Sequence, residues 1–203
     1  MHLDYPDPAL SDDVVTLRPW RLPDDYATLE NASSDLRISA STSLPADLTE
    51  GTAVDWVERQ HQRVAEGSGV SLAITTHGDQ SVGLAGIYGL ERGWGMGSLG
   101  FWVAPAVRGQ GTAQRGVKLL VAWAWEALDL ARVEARMVPD NLSSIRVAEE
   151  AGLVREGLHP ARYHKGGVWF DLLTYGAINP LRPVPRGTWT DFQLEHSDTS
   201  ARA

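Results

Sequence analysis

Residues 99–116 read LGFWVAPAVRGQGTAQRG. The apolar run 99–103 has the length and composition of a buried strand. Pro105 breaks its ladder, because proline has no N–H to give. Arg108-Gly109-Gln110-Gly111-Thr112-Ala113 follows. From about 111 to 128, Val117, Leu120, Val121, Ala124, Trp125 and Leu128 recur at helical spacing, which predicts a helix with one face on a sheet. The glycines thus stand where a strand hands over to a helix start. The first turn of a helix leaves about four N–H groups unpaired, and its dipole adds about half a positive charge there. Glycine lets an anion approach the backbone closely, and Arg108 adds a charge-assisted donor. The stretch predicts an anion site suited to a pyrophosphate. A tight loop with a cap also fits these six residues.

No Gly-Lys-Ser/Thr follows, so the turn is not a P-loop, and the third glycine of a dinucleotide fingerprint is missing at its spacing. Downstream stand Asn141-x-x-Ser144-x-x-Val147 and Ala151-Gly152-Leu153. Gly100-Phe101-Trp102-Val103, the Arg108 to Ala113 turn and these two motifs, in this order, resemble the GNAT superfamily of acyl-CoA-dependent N-acyltransferases. Within it they are similar to the ribosomal-protein N-acetyltransferase branch of the RimJ/RimL type. The resemblance covers about residues 14–178, between an irregular arm at 1–13 and a tail at 179–203 that carries three prolines.

Outward from the central stretch, residues 14–20 (VVTLRPW) alternate as a first strand. Pro23 suits the first turn of a helix running to Ser33, with Asp24 and Asp25 at the favourable end of its dipole. Residues 39–45 read as a polar loop, which the resemblance puts near the acceptor substrate. A second helix spans 49–66, with Ala53, Trp56, Val57, His61 and Val64 on one stripe and Gly67 at its end. His61 reads as a structural histidine. Strands 70–76 and 81–90 flank a short turn at 77–80. The glycine-dense loop 91–97 reads either as a lip over a pocket or as a plain hairpin loop. Residues 132–138 form a strand stopped by Pro139, and Asn141 caps a helix that runs to Ala151 and ends at Gly152. Residues 153–158 and 168–175 read as a final hairpin. The order β-α-α-β-β-β-α-β-α-β-β gives a mixed α/β domain. The resemblance implies a mostly antiparallel central sheet, splayed between its fourth and fifth strands and flanked by helices.

Composition narrows the partners. The formal net charge is −8 and no basic stripe occurs, which argues against nucleic-acid binding. The absence of cysteine excludes disulfides, thiol catalysis and cysteine-zinc sites. No run of about 18 apolar residues occurs, so no spanning helix is expected. Residues 1–8 are acidic and lack a secretory apolar region, and a cytoplasmic protein is expected. The eight tryptophans read mostly as core.

Acyl transfer from a thioester to an amine needs a held donor, a neutral amine, a stabilised oxyanion and a proton or donor for the leaving thiolate. The resemblance implies acetyl-CoA as co-substrate, with its pyrophosphate on the N–H groups of Arg108, Gly109, Gln110, Gly111, Thr112 and Ala113. It puts the pantetheine arm along the strand backbone near Trp102 and Val103. Asn141 would touch the same molecule, and Ser144, on the same helix face, would meet the leaving thiolate as the catalytic donor. Ala148 stands where many members carry a tyrosine acid, and Ser98 where this branch often has a carboxylate. Glu156, His159, Tyr163, His164 and Asp171 are candidates for the base, with none singled out. A water chain or desolvation of the amine could serve instead. His159 and His164 lack a third ligand, so no metal is expected. The implied activity is acetyl transfer to a primary amine, on a protein N-terminus or a small molecule, by direct attack. The missing tyrosine leaves open a silent acyl-CoA-binding module, and a homodimer is compatible with the chain.

Overall fold

In the computed structural model, which describes residues 3–91, 93–182 and 186–187, two short strands lead into three helices. These are β1 (Leu10–Ser11), β2 (Thr16–Pro19), α1 (Tyr26–Ser33), α2 (Leu36–Ser41) and α3 (Glu50–Glu66). Then come β3 (Gly69–Thr75), β4 (Ser81–Glu91), β5 (Met96–Val103), α4 (Thr112–Glu126), β6 (Arg132–Met137), α5 (Leu142–Glu150), β7 (Val154–Lys165) and β8 (Val168–Ile178). One eight-stranded sheet results, in the order β1-β2-β3-β4-β5-β6-β8-β7. Only the β5–β6 pair is parallel.

Strand β3 is buried at all positions and β4 over its first seven, as expected of central strands covered on both faces. On one face Leu17, Ile74, Ile87 and Leu99 pack against Val117, Leu120 and Val121 of α4 and Val147 of α5. On the other, Trp20, Trp56 and Trp102 join Leu29, Ile38 and Leu84 under α1 to α3. Trp20 meets Trp56 edge-on at 5.3 Å and stacks with Trp102 at 5.9 Å. Trp125 is also buried, but Trp94 and Trp169 are 78% and 63% exposed. The core reading of the tryptophans is therefore corrected for those two, and Trp189 lies outside the described residues. Gly116 lets α4 settle on the sheet, because a Cβ there would stand 2.9 Å from Ile74 Cδ1.

Local chemistry sets the helix ends. Thr49 caps α3 in a reciprocal box with Thr52, and Gly67 closes it at φ +70°. His61 is structural, as expected. Its Nε2 meets the Trp20 carbonyl at 3.0 Å and its Nδ1 meets Tyr5 Oη at 2.9 Å. The first helix starts at Tyr26 rather than Pro23, and Asp25 stands at its N-cap position without capping it through its side chain. The Asp25 carboxylate is fully buried and takes two hydrogen bonds from Arg18 at 2.8 Å and one from the Arg21 N–H.

Four expectations change. The polar stretch 39–45 begins inside α2, because Asp35 caps that helix and the Ser41 and Thr42 hydroxyls bond back to the Arg37 and Ile38 carbonyls. The stretch read as an irregular arm contributes β1 and the buried Leu3. The closing hairpin is longer than expected, with twelve residues in β7. The glycine-dense loop precedes β5, at the opposite end of that strand from the Arg108 to Ala113 turn, so it is no lip over that turn. Of the expected tail, residues 183–185 and 188–203 lie outside the described residues.

Candidate active site

The sheet comes apart at one place. Strands β5 and β6 pair only from Met96↔Arg132 to Leu99↔Ala135. Yet β5 runs on to Val103 and β6 to Met137, so the two diverge as the resemblance predicts for the fourth and fifth strands of its count. The outer edge of residues 100–103 is left without a strand partner. On its inner edge β5 stays paired with β4 as far as Gly83↔Val103, and the Ala104 N–H donates to the Val82 carbonyl at 2.8 Å. Alternate residues of an antiparallel strand turn their N–H and C=O groups to the same neighbour. Ala104 and Trp102 therefore face β4, while Val103 and Phe101 face the gap. Val103 thus stands where the pantetheine reading needs it, but Trp102 does not: its indole is buried on Trp20 and its backbone is used by β4. Phe101 was missed, and counting back two residues from Val103 finds it.

Both helices that border the gap begin at its open end, α4 after β5 and α5 after β6. Gly111 is the N-cap of α4, with φ +77° and no capping side chain, and Gly109 also lies at φ +77°. The first N–H of this end to reach a helical carbonyl is that of Arg115, on Gly111 at 3.1 Å. Those of Thr112, Ala113 and Gln114 precede it, at the positive end of the dipole. A Cβ at Gly109 or Gly111 would meet nothing within 4 Å, so the glycines leave clear space on the turn.

Two turn side chains have other occupations. Arg108 Nη2 binds Asp35 Oδ2 at 2.6 Å, which corrects the expectation that its guanidinium is free for an anion. Gln110 Nε2 turns back to the Ala106 carbonyl at 3.3 Å. Their backbone groups stay with the turn. A cavity of about 510 Å³ runs on from Gly111 along Gln114, Arg115 and Lys118.

Asn141 is the N-cap of α5, as its spacing predicts. Its Oδ1 takes the Ser144 N–H at 3.2 Å and the Ser143 hydroxyl at 3.0 Å. Ser144 is half-buried on the first turn of α5, and Ala148 is fully buried one turn on. No hydroxyl can stand at that site.

Most candidate bases are committed elsewhere. Glu156 is paired with Arg132, whose guanidinium holds its carboxyl below the usual range. Asp171 accepts the Ala161 N–H at 2.8 Å, clamping a register shift between β7 and β8. The Tyr163 hydroxyl donates to the Ala40 carbonyl at 2.9 Å. His164 packs on Trp169 at 4.6 Å. His159 is exposed on β7. A carboxylate does stand next to Ser98, supplied by the neighbouring strand: the Ser98 hydroxyl is 3.4 Å from Glu134 Oε1. Glu134 is ion-paired with Arg136 at 2.6 Å. Among the described residues no group of three metal-ligating side chains occurs, and no helix is long and apolar enough to cross a membrane.

The family model described as Acetyltransferase (GNAT) domain matches residues 15–154. The chain is 33% identical over 107 residues to the Bacillus subtilis (strain 168) protein named "Probable N-acetyltransferase YjcK", covering 52% of this chain and 59% of that relative. The match thus spans less than two thirds of that relative's length. Mycobacterium smegmatis RimJ, solved in complex with CoA-disulfide, shares the fold with a TM-score of 0.74 at 21% identity, over 90% of this chain and 89% of its own. The ribosomal-protein-S5-alanine acetyltransferase from Vibrio fischeri does so with a TM-score of 0.71 at 20% identity, over 86% and 99%.

Proposed function

This chain belongs to the GNAT acetyltransferase family, and on that premise we propose that it transfers the acetyl group of acetyl-CoA to a primary amine. The observation that carries the reading is the gap between β5 and β6, flanked at its open end by two helix starts. In this reading the N–H groups from Gly109 to Ala113 hold the pyrophosphate, and the backbone of Phe101 and Val103 bonds the pantetheine arm as an added strand. When bound, the donor would supply a thioester: the amine nitrogen forms a C–N bond as the carbonyl opens to a tetrahedral oxyanion, the ammonium proton passes to solvent, and the C–S bond breaks as the carbonyl re-forms, releasing the thiolate.

The chain's own groups do the rest. A Val103 or Phe101 N–H left free in the gap points at the developing oxyanion, the kind of preorganised donor that counts most in acyl transfer. Asn141 steadies the donor with its amide. Ser144 gives a hydrogen bond to the departing thiolate in place of the tyrosine that Ala148 precludes. A serine hydroxyl is a weak acid, so its part is to stabilise charge rather than to deliver a proton outright. No side chain is assigned as base, since a desolvated amine can lose its proton to water. Cysteine-free composition suits work in the cytoplasm, where such a donor is supplied.

Release of free thiol from acetyl-CoA tests this against peptides with a free α-amino group, spermidine and an aminoglycoside. Amine-dependent release is the expected result, and the productive amine names the acceptor class. Binding of acetyl-CoA without release on any amine would instead make the chain a silent binding module.

A further inference from the structure

The turn's one cation is engaged across the fold. Arg108 Nη2 reaches Asp35 Oδ2 at 2.6 Å, over 73 residues of sequence. Asp35 is the N-cap of α2: its Oδ1 accepts the Arg37 N–H at 2.8 Å, and its carbonyl accepts those of Ile38 and Ser39, each at 3.0 Å. The far end of α2 is held just as specifically. Lys165 Nζ donates to the Ser39 carbonyl at 2.8 Å and Tyr163 Oη to that of Ala40 at 2.9 Å. A six-residue helix is thus pinned at one end by the turn and at the other by the β7–β8 hairpin. Between these pins Ile38 drops into the cluster of Trp20 and Trp102, beside the last residue but one of β5. Leu36 by contrast is exposed.

We propose that Arg108 is a positioning residue: its guanidinium fixes α2, the wall on the aromatic side of the gap, through Asp35, and leaves the anion to the backbone of the turn. This rests on the acetyltransferase reading for the meaning of the gap, but the link between turn and helix stands on its own. The chemistry favours it. The Asp35 carboxylate, held in place by the Arg37 N–H, is a fixed, charge-assisted partner for the guanidinium. A displaced α2 also shifts Ile38, and with it the packing against Trp102 of β5.

Asp35→Asn separates the pair from the cap, because asparagine caps as well as aspartate. In the free protein, hydrogen exchange at the Ile38 and Ser39 amides should quicken about fivefold in Asp35→Asn and in Arg108→Gln. The double variant should go no further than either single one, as for two halves of one interaction. By calorimetry acetyl-CoA should bind Arg108→Gln within about threefold of wild type. With spermidine or Ser-Ala-Ala-Ala amide, whichever the wild type acetylates, Asp35→Asn should raise KM about threefold and leave kcat within about twofold. Unchanged exchange in Asp35→Asn, additive single effects, an unchanged KM, or a tenfold or greater loss of acetyl-CoA affinity in Arg108→Gln would each overturn the proposal. A wild type that binds no acetyl-CoA ends the acetyltransferase reading instead, and the exchange cycle then decides the link alone.

Discussion

Helices α3 and α4 are nearly equal in length and begin in opposite ways. The start of α3 is closed by a capping box: Thr49 and Thr52 satisfy each other's backbone N–H groups. At the start of α4 there is only Gly111, with no capping side chain and three N–H groups ahead of the ladder. The strands repeat the contrast. Strand β4 is paired on both edges from Gly83 to Tyr88, whereas β5 gives up its β6 partner after four residues. In the closed half the start of α3 and the backbone of β4 are satisfied internally. The open half withholds satisfaction at one spot, and withheld hydrogen bonds are what a ligand can complete.

This contrast can be broken from either side. The largest effect should come from the closed half. Asp25 is fully buried against Arg18, and its removal leaves the buried guanidinium with Asp79 and two backbone carbonyls as its partners. Asp25→Ala should therefore lower unfolding free energy by about 3 kcal/mol in urea titrations, the lower end for a broken buried pair, with acetyl-CoA affinity of the folded fraction unchanged. The same pair predicts a pH dependence. Burial alone would raise the Asp25 carboxyl, but its Arg18, Arg21 and Ser81 partners outweigh that and depress it. A depressed carboxyl stabilises the fold fully above its unfolded value of about 3.9, and that contribution fades as pH falls through the folded value. Wild type should lose it only below about pH 4, and Asp25→Ala should have less to lose there.

In the open half, Gly111→Trp fills the space over the turn at a φ that suits glycine. Acetyl-CoA affinity should fall at least about a hundredfold, the worth of one or two charge-assisted hydrogen bonds. Ser144→Ala should lower kcat on the productive amine about tenfold, at the weak end of general-acid effects, with acetyl-CoA affinity unchanged. The smallest effect returns to the closed half: Thr49→Ala should cost about 1 kcal/mol of stability by thermal melting and leave turnover alone.

How much of this was legible in the sequence follows from the range of the interactions. The strand, turn and helix of residues 99–116 were legible because period and punctuation are local, and so was the Asn141 cap, but on the α3 stripe the buried residue is Gln60 where His61, which is exposed, was expected. Helix α2 was not, since six residues are too few to show a helical period and the cap at Asp35 is all that announces it. The partner of Arg108 lies 73 residues away, and no local pattern encodes it. Trp102 and Phe101 show a subtler limit. Composition marks both as strand, but only the register against β4 decides which backbone faces the gap. The Glu134 carboxylate beside Ser98 came from a different strand, where the alternation of Arg132, Glu134 and Arg136 reads merely as a polar edge.

The central claim is that the turn before α4 is an anion site left open by design of the fold. Calorimetric titration of acetyl-CoA into wild type and Gly111→Trp, side by side, tests it most directly. The account predicts saturable one-to-one binding to the wild type and at least a hundredfold weaker binding to a variant that still melts cooperatively. Equal affinity in the two proteins, or no binding to the wild type, would contradict it.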